Sequence, residues 1–370
     1  MRRMPRWLRS TLWTLGAVIL LGALAELVCR TLVTPSAGAT RFLFLHQMSL
    51  ERWDYLLESG EEAAPVEGMA FDFAPTREKN RRWVEEPEDD RPPYDRIRNS
   101  FEIVTNSDGF RDRPFTAQKK PGVKRVMVLG DSISYGKGVA LPERFTSLLG
   151  PRPHIEIQNL AYPACGTSCA ATIFDEFAHL APDLVVFQTS GNDVDTAMAV
   201  EARGAQVGMP SAPLRALLRL RSVQLLSYAL FGDAKTTQMA SAIDAARRVY
   251  GPRLDAFFEK ARARHVAVVV LGFPSSSGDV YAQHAIERCA AHPDVCLGSV
   301  VVDLAASGGA EPLWLPETAQ LLSLPLEGLR ELFPRANYFL DIVHPNAAAH
   351  AAAARQLAAF LNDRWPGWLR

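Results

Sequence analysis

The longest apolar stretch lies near the N-terminus, over residues 12–29 (LWTLGAVILLGALAELVC), broken only by Glu26 near its far end. That is about the length that crosses a bilayer. Residues 35–100 are rich in Pro, Glu, Asp and Arg, as in EEPEDDRPPYDR, with no sustained apolar period. Together with the segment up to 120 they read as a stalk or irregular leader. From residue 121 the pattern changes. Short aliphatic and β-branched runs at 126–129, 154–160, 184–189, 266–271 and 300–304 have the character of buried strands. Helical stretches at 142–149, 168–180, 236–264 and 347–364 separate or follow them. This alternation predicts one α/β domain over 121–370, a three-layer α/β/α sandwich with a five-stranded parallel sheet.

Two segments depart from the alternation. Residues 213–231 (PLRALLRLRSVQLLSYALF), within a helical insertion at about 195–240, form an amphipathic pattern with Arg215, Arg219 and Arg221. Three roles are open to it: capping the active site, lying on a membrane surface, or packing on the sheet, which is the usual fate of such a stripe. Residues 305–336, with Gly308, Gly309, Pro312, Pro316, Pro325 and Pro334, read as a long irregular loop.

Charge orients the N-terminal stretch. Arg2, Arg3, Arg6 and Arg9 precede it and few cations follow it closely. The positive-inside rule therefore puts residues 1–34 down as a cytoplasmic tip and single transmembrane anchor, with everything after them extracytoplasmic, on the periplasmic or outer face. A cleaved signal peptide competes, since Ala37-Gly38-Ala39 fits an A-x-A site, but the apolar run is long and ends some distance before it. Lipidation at Cys29 fits less well, because Glu26-Leu27-Val28 lacks small residues.

Composition narrows the function. The 370 residues carry 40 Lys+Arg against 41 Asp+Glu, leaving no polycationic field for nucleic acid. With 48% hydrophobic residues the chain is not disordered, and 5 cysteines are too few for a disulfide-held mini-protein. In an oxidising compartment Cys289 and Cys296 are expected to bridge locally, and Cys165 and Cys169 either to pair or to stay reduced.

Ligands of an open parallel sheet gather outside the carboxyl ends of its strands. There the chain places Gly130-Asp131-Ser132-Ile133-Ser134-Tyr135-Gly136, then Asn159 to Thr167, then Ser190-Gly191-Asn192-Asp193, and before the last helix Asp341-Ile342-Val343-His344-Pro345-Asn346. A serine hydroxyl is a weak nucleophile until a base takes its proton, and histidine titrates in the right range. His344 is the candidate base, and Asp341, three residues earlier, its partner. The oxyanion formed on an ester carbonyl needs donors, for which Ser132 N–H, a backbone N–H of the second block and the Asn192 amide are candidates.

These blocks resemble the SGNH hydrolases, also called the GDSL esterase/lipase family. GDSxxxG after a strand, GND after the third strand and DxxHP before the final helix, in that order, carry the resemblance over about residues 124–365. Asn106-Ser107-Asp108-Gly109-Phe110-Arg111 looks like a segment found ahead of the nucleophile in membrane-anchored members. The resemblance implies Ser132 as nucleophile, Asn192 and a second-block residue as oxyanion donors, and His344 with Asp341 as base and partner. Ile133 replaces the leucine of the family name. Counted from Asn159, the family's oxyanion glycine falls nearer Ala164, whereas the glycine present is Gly166; Gly166 is the first candidate for that donor and Ala164 its rival.

Other motifs fail on spacing. GDSISYGKG is one residue too long for a phosphate loop and ends in Gly138 where Ser or Thr is needed; there is no GxGxxG, and Ser134 breaks GxSxG. No His-rich cluster joins Asp341 and His344 to make a metal site, so neither metal nor cofactor is expected. His154, His179, His265 and His350 are read as structural. The sequence thus predicts an esterase acting on an acyl ester, of envelope carbohydrate or lipid, through an acyl-serine. The alternatives are an O-acyltransferase to a sugar hydroxyl and a silent envelope-binding module on the same fold. The expected partners are the substrate and, through the N-terminal helix, the membrane; no protein partner is legible.

Overall fold

In chain order the elements are α1 (Arg6–Thr31), α2 (Ala37–Glu58), β1 (Arg82–Glu85), β2 (Phe101–Val104), β3 (Lys124–Leu129), α3 (Ser132–Tyr135), α4 (Phe145–Leu149), β4 (Ile155–Asn159), α5 (Thr167–Glu176), β5 (Leu184–Gln188), α6 (Ala212–Leu218), α7 (Arg221–Phe231), α8 (Ala234–Ala263), β6 (Ala267–Gly272), α9 (Gln283–Ala291), β7 (Cys296–Val301), α10 (Trp314–Leu322), α11 (Leu326–Leu332) and α12 (Ala347–Arg364). The structure, a computed structural model, describes residues 6–58, 76–89, 91–150, 152–189, 191–194, 211–231, 234–274, 282–304 and 311–365. Residues 64–207, 237–318 and 333–370 form one unit, which holds the sheets; residues 1–63, 208–236 and 319–332 form a second, whose described elements are helices.

In the sheet unit the strands lie in the order β4, β3, β5, β6, β7, every pair parallel. Side chains of a strand alternate between faces, and a parallel sheet is covered on both. Val126, Val128, Leu184, Val186, Val269 and Leu271 meet Phe145 of α4 and Ala353, Leu357 and Leu361 of α12. On the other face Met127, Leu129, Val185, Phe187, Val268 and Val270 meet Phe174 of α5 and Leu254, Phe257 and Phe258 of α8. Burying each large apolar side chain contributes about 1.5–3 kcal/mol, so the two layers fix the strand ends firmly. The first strand, β3, has β4 on one side and β5 on the other. The connection from β3 to β4 and that from β4 to β5 therefore run in opposite directions, and a crevice opens outside the carboxyl ends of β3 and β5.

The fold differs from four of the expectations drawn from the sequence. The last strand is Cys296–Val301 rather than 300–304. Gly298, at φ +139°, and Ser299 interrupt its apolar pattern, while the Cys289–Cys296 disulfide ties its start to α9. Residues 35–120 are not an irregular leader: they contain α2 and the antiparallel pair β1–β2. Each strand of that pair has only four residues, too few for a period to show, yet Phe101 and Ile103 are buried with Ile97, Tyr135 and Ala161. Within 305–336, residues 305–310 lie outside the described residues, and the remainder includes α10 and α11. Pro316 sits in the first turn of α10 and Pro325 just before α11, positions where proline starts a helix rather than breaking it.

In the helical unit, α1 contains an apolar span, Trp13–Thr31, long enough to cross a membrane and exposed except at Glu26 and Cys29, which are half-buried. The helix expected at 213–231 is two helices, α6 and α7, while 195–210 and 232–233 of the insertion lie outside the described residues. The buried side of α7 meets α2, where Phe42 stands edge-on to Tyr228 with ring centroids 5.6 Å apart. A Cβ at Gly38 would lie 2.6 Å from the Tyr228 hydroxyl, so glycine sets this approach.

Candidate active site

The nucleophile candidate sits on a one-turn helix held by β5. A Cβ at Gly130 would lie 2.4 Å from Gln188 Oε1 and 2.8 Å from Ser134 Oγ, so the chain can pass this close only as glycine. Gln188 Oε1 accepts from Asp131 N (3.1 Å) and Ser134 Oγ (3.0 Å). Asp131 is the N-cap of α3, its carboxylate accepting from Ile133 N at 2.9 Å, and Gly136 at φ +80° ends the turn. Ser132 is therefore the first residue of α3, where a backbone N–H has no acceptor within the helix.

His344 comes from the loop before α12, which is closed at several points. Leu340 N donates to His344 O and Asn346 N to Tyr338 O, each at 2.8 Å. Asn346 then caps α12, its Oδ1 accepting from Ala348 N and Ala349 N. His344 Nε2 lies 3.0 Å from Ser132 Oγ, and Nδ1 lies 2.7 Å from Asp341 Oδ2. The other carboxylate oxygen, Oδ1, accepts from Val343 N and His344 N, both at 2.7 Å. Burial pushes the Asp341 carboxyl up, but the imidazole's charge and hydrogen bond and the two backbone donors hold it below its ordinary value. Burial lowers His344, yet Asp341's charge and hydrogen bond outweigh that and leave it raised. The pair thus favours an imidazolium, the species formed when a base takes the serine proton.

The remaining predicted residues gather beside this chain of bonds. Asn192 Nδ2 donates to Asp131 Oδ2 at 3.2 Å, which places the amide beside the nucleophile turn; Ser190 lies outside the described residues. Asp193 is buried and accepts from Thr167 N (2.8 Å) and Thr167 Oγ1 (2.5 Å), tying the third block to the second. A Cβ on Gly166 would meet Asp193 Oδ1 at 2.6 Å, so its glycine answers to Asp193. Ala164 is exposed, at φ +60°, in a turn closed by Cys165 N to Tyr162 O at 3.2 Å. Cys165 and Cys169 form a disulfide at the start of α5. Among the described residues no group of three or more His, Cys, Asp or Glu is placed to hold a metal ion.

Residues that motif reading left without a role complete the frame. Arg111 is buried and donates to the carbonyls of Gly136 (2.6 Å), Val139 (2.8 Å) and Glu102 (3.0 Å), bracing the chain just after α3. Burial, aided by the neighbouring Arg144 charge, lowers its pKa to about 10, leaving it cationic at neutral pH. Asp112 accepts from Asn159 N at 2.6 Å, and Arg144 donates to Asp112 and to Arg111 O. The 106–111 motif therefore bolts β2 to the first two blocks. Its resemblance was visible in sequence; the burial of two arginines on carbonyl oxygens was not.

The family model of GDSL-like lipases and acylhydrolases matches residues 128–352, more than half of the chain and all four of Ser132, Asn192, Asp341 and His344. The chain belongs to this family. It is thus an SGNH/GDSL-type enzyme of ester bonds, an ester hydrolase or acyltransferase. No curated protein is significantly similar in sequence. Among solved structures, an extracellular lipase from Streptomyces rimosus is 16% identical, with 65% of this chain and 100% of that one covered and a TM-score of 0.40. An acetylxylan esterase from Geobacillus stearothermophilus is 18% identical, covering 68% and 99%, with a TM-score of 0.37. A GDSL-like lipase from Bacteroides thetaiotaomicron is 14% identical, covering 65% and 88%, with a TM-score of 0.35.

Proposed function

We propose that this GDSL-like acylhydrolase is a membrane-anchored, extracytoplasmic serine esterase that hydrolyses an acyl ester through an acyl-Ser132 intermediate. The observation that carries the reading is the continuous chain from Ser132 Oγ to His344 (3.0 Å) and from His344 to Asp341 (2.7 Å). His344 takes the serine proton as Oγ attacks the carbonyl carbon, then returns it to the leaving alcohol; Asp341 holds the Nδ1–H tautomer and offsets the imidazolium charge. Asn192 and Ser132 N–H stabilise the oxyanion, each such donor being worth about 2.7–4 kcal/mol of barrier. Ala164 supplies the third donor in preference to Gly166, because Asp193 already accounts for the missing Cβ at 166 while Ala164 occupies an exposed left-handed turn. Water attacking the acyl-serine completes hydrolysis; a sugar hydroxyl in its place would make the same intermediate an O-acyltransferase step.

A groove beside the Tyr162–Ala164 turn, lined by Trp83, Tyr135, Tyr162, Glu78, Arg81 and Glu85, combines ring faces with charged hydrogen-bonding groups. That mixture suits an acylated carbohydrate better than a long alkyl chain. The N-terminal arginines and the apolar span support the anchor and its orientation, and the two disulfides support an oxidising compartment. The test is release of acid from p-nitrophenyl acetate and from an O-acetylated polysaccharide by the purified full chain, with Ser132→Ala alongside. Turnover confined to the unmodified chain is expected; equal rates from both sink the proposal. A reporter fused after Arg370 should be active only outside the cytoplasm, and cytoplasmic activity would overturn the topology.

A further inference from the structure

Glu26 is the one carboxylate within the apolar span of α1, and it is fully engaged. Its Oε1 accepts from Arg221 N (2.7 Å) and Arg30 Nε (2.6 Å), and its Oε2 from Ser222 N and Ser222 Oγ (both 2.9 Å). The carboxylate thus caps the N-terminus of α7, an 11-residue helix, from inside the span. Such mutual satisfaction is what a low-dielectric setting demands of a carboxylate and of a helix's first N–H groups. It also fixes depth. Thr31, where the span ends, is five residues beyond Glu26, about 7.5 Å at ~1.5 Å per residue. Helices lying in a bilayer interface bury their apolar face about 5–10 Å into the headgroup boundary.

The surfaces of α6 and α7 match that depth. Leu214 and Leu217 on α6 are 45% and 48% exposed, and Leu226 and Leu230 on α7 are 60% and 64% exposed. Their spacings of three and four put each pair on one side of its helix. The sole charged residue of α7, Arg221, is buried, and its guanidinium donates to Leu322 O and Ser323 O. The outer side of α7 therefore presents leucine where a water-facing helix would present charge, and α7 packs against α1, whose apolar side chains are themselves exposed. Arg215 and Arg219 border the stripe at α6, cations suited to anionic headgroups.

We infer that α6 and α7 are a second membrane contact, an interfacial helix pair that lies in the lipid headgroup boundary beside the outer end of α1. The inference rests on the anchor reading above. It assigns the insertion a lipid bilayer as its partner.

Nitroxide accessibility in the full chain tests it. In a Cys29→Ser background, spin labels are placed at Leu226→Cys and Leu230→Cys. Leu20→Cys serves as the anchor control and Leu148→Cys, in the sheet unit, as the aqueous control. The protein is reconstituted in phosphatidylcholine/phosphatidylglycerol vesicles. Labels at 226 and 230 should collide with oxygen in preference to a water-soluble nickel chelate, as at 20, with a ratio severalfold above that at 148. A chelate-dominated signal at 226 and 230 with an oxygen-dominated one at 20 would overturn the inference and leave the anchor standing. A chelate-dominated signal at 20 would sink the anchor itself. Shielding of 226 and 230 from both reagents would mean a protein surface covers them, and would also overturn the inference.

Discussion

Asp341→Asn separates the two jobs of this carboxylate. Oδ1 accepts from Val343 N and His344 N, whereas Oδ2 faces the imidazole. Asparagine keeps the first job only with its oxygen toward the backbone, since the flipped amide would set an NH2 against two N–H donors. Its NH2 then faces Nδ1, which must accept, and the ring proton moves to Nε2. Nε2 now presents N–H to Ser132 Oγ, so it cannot take the serine proton. The equivalent tautomer error in a Ser-His-Asp triad lowers kcat about 10⁴-fold, or about 5.4 kcal/mol at ~1.36 kcal/mol per decade. Stability should change little. Asp341→Ala, by contrast, also strands two backbone donors, at about 1–3 kcal/mol each. The assay is kcat/KM on p-nitrophenyl acetate together with Tm for both variants. Activity of Asp341→Asn within tenfold of the unmodified chain would refute the tautomer argument.

Further outcomes follow from the same geometry. His344 acts as a base only when unprotonated; burial lowers its pKa and Lys137 opposes protonation, but Asp341 and Asp131 leave it raised above 6.5. Activity should therefore fall as pH drops through a value above 6.5, and an acidic limb of kcat/KM below 6.5 would contradict this. Gly166→Ala drives a Cβ against Asp193 Oδ1 at 2.6 Å and should lower kcat at least tenfold, while Ala164→Gly keeps its N–H in a left-handed turn that glycine favours and should stay near the original rate; a Gly166→Ala variant at full rate would show that Asp193 does not need that space. Glu26→Ala removes the acceptor for Arg221 N and Ser222 N. Amide exchange at the start of α7 should then rise while exchange in β3 and β5 is unchanged, and unaltered exchange in α7 would show that the cap is dispensable.

Much of the catalytic unit is legible because its determinants are local. The runs that become β3, β5 and β6 are apolar on both faces, which only a doubly covered sheet requires, and Gly130 and Gly136 mark turns whose geometry excludes a Cβ or needs positive φ. Asp341 and His344, three residues apart, bond directly within one loop, so their spacing was already informative. His350, read as structural, packs against Phe145 and Phe273, with burial and the charges of Arg144 and Arg111 lowering its pKa to about 3. The misses depend on distant partners. Nothing in the sequence marks Arg111 and Arg144 as buried, because their carbonyl acceptors come from distant segments, and β1–β2 is too short to announce itself. Nor does anything local to Gly166 show that Asp193, 27 residues later, occupies its Cβ space.

The proposed mechanism requires an activated serine at position 132. Fluorophosphonate treatment of the full chain, followed by mass spectrometry of the modified peptide, tests it most directly, with Ser132→Ala and His344→Ala in parallel. One adduct is expected, on Ser132, absent from Ser132→Ala and strongly slowed in His344→Ala. No adduct in folded protein, or an adduct that survives Ser132→Ala at the same rate, would contradict it.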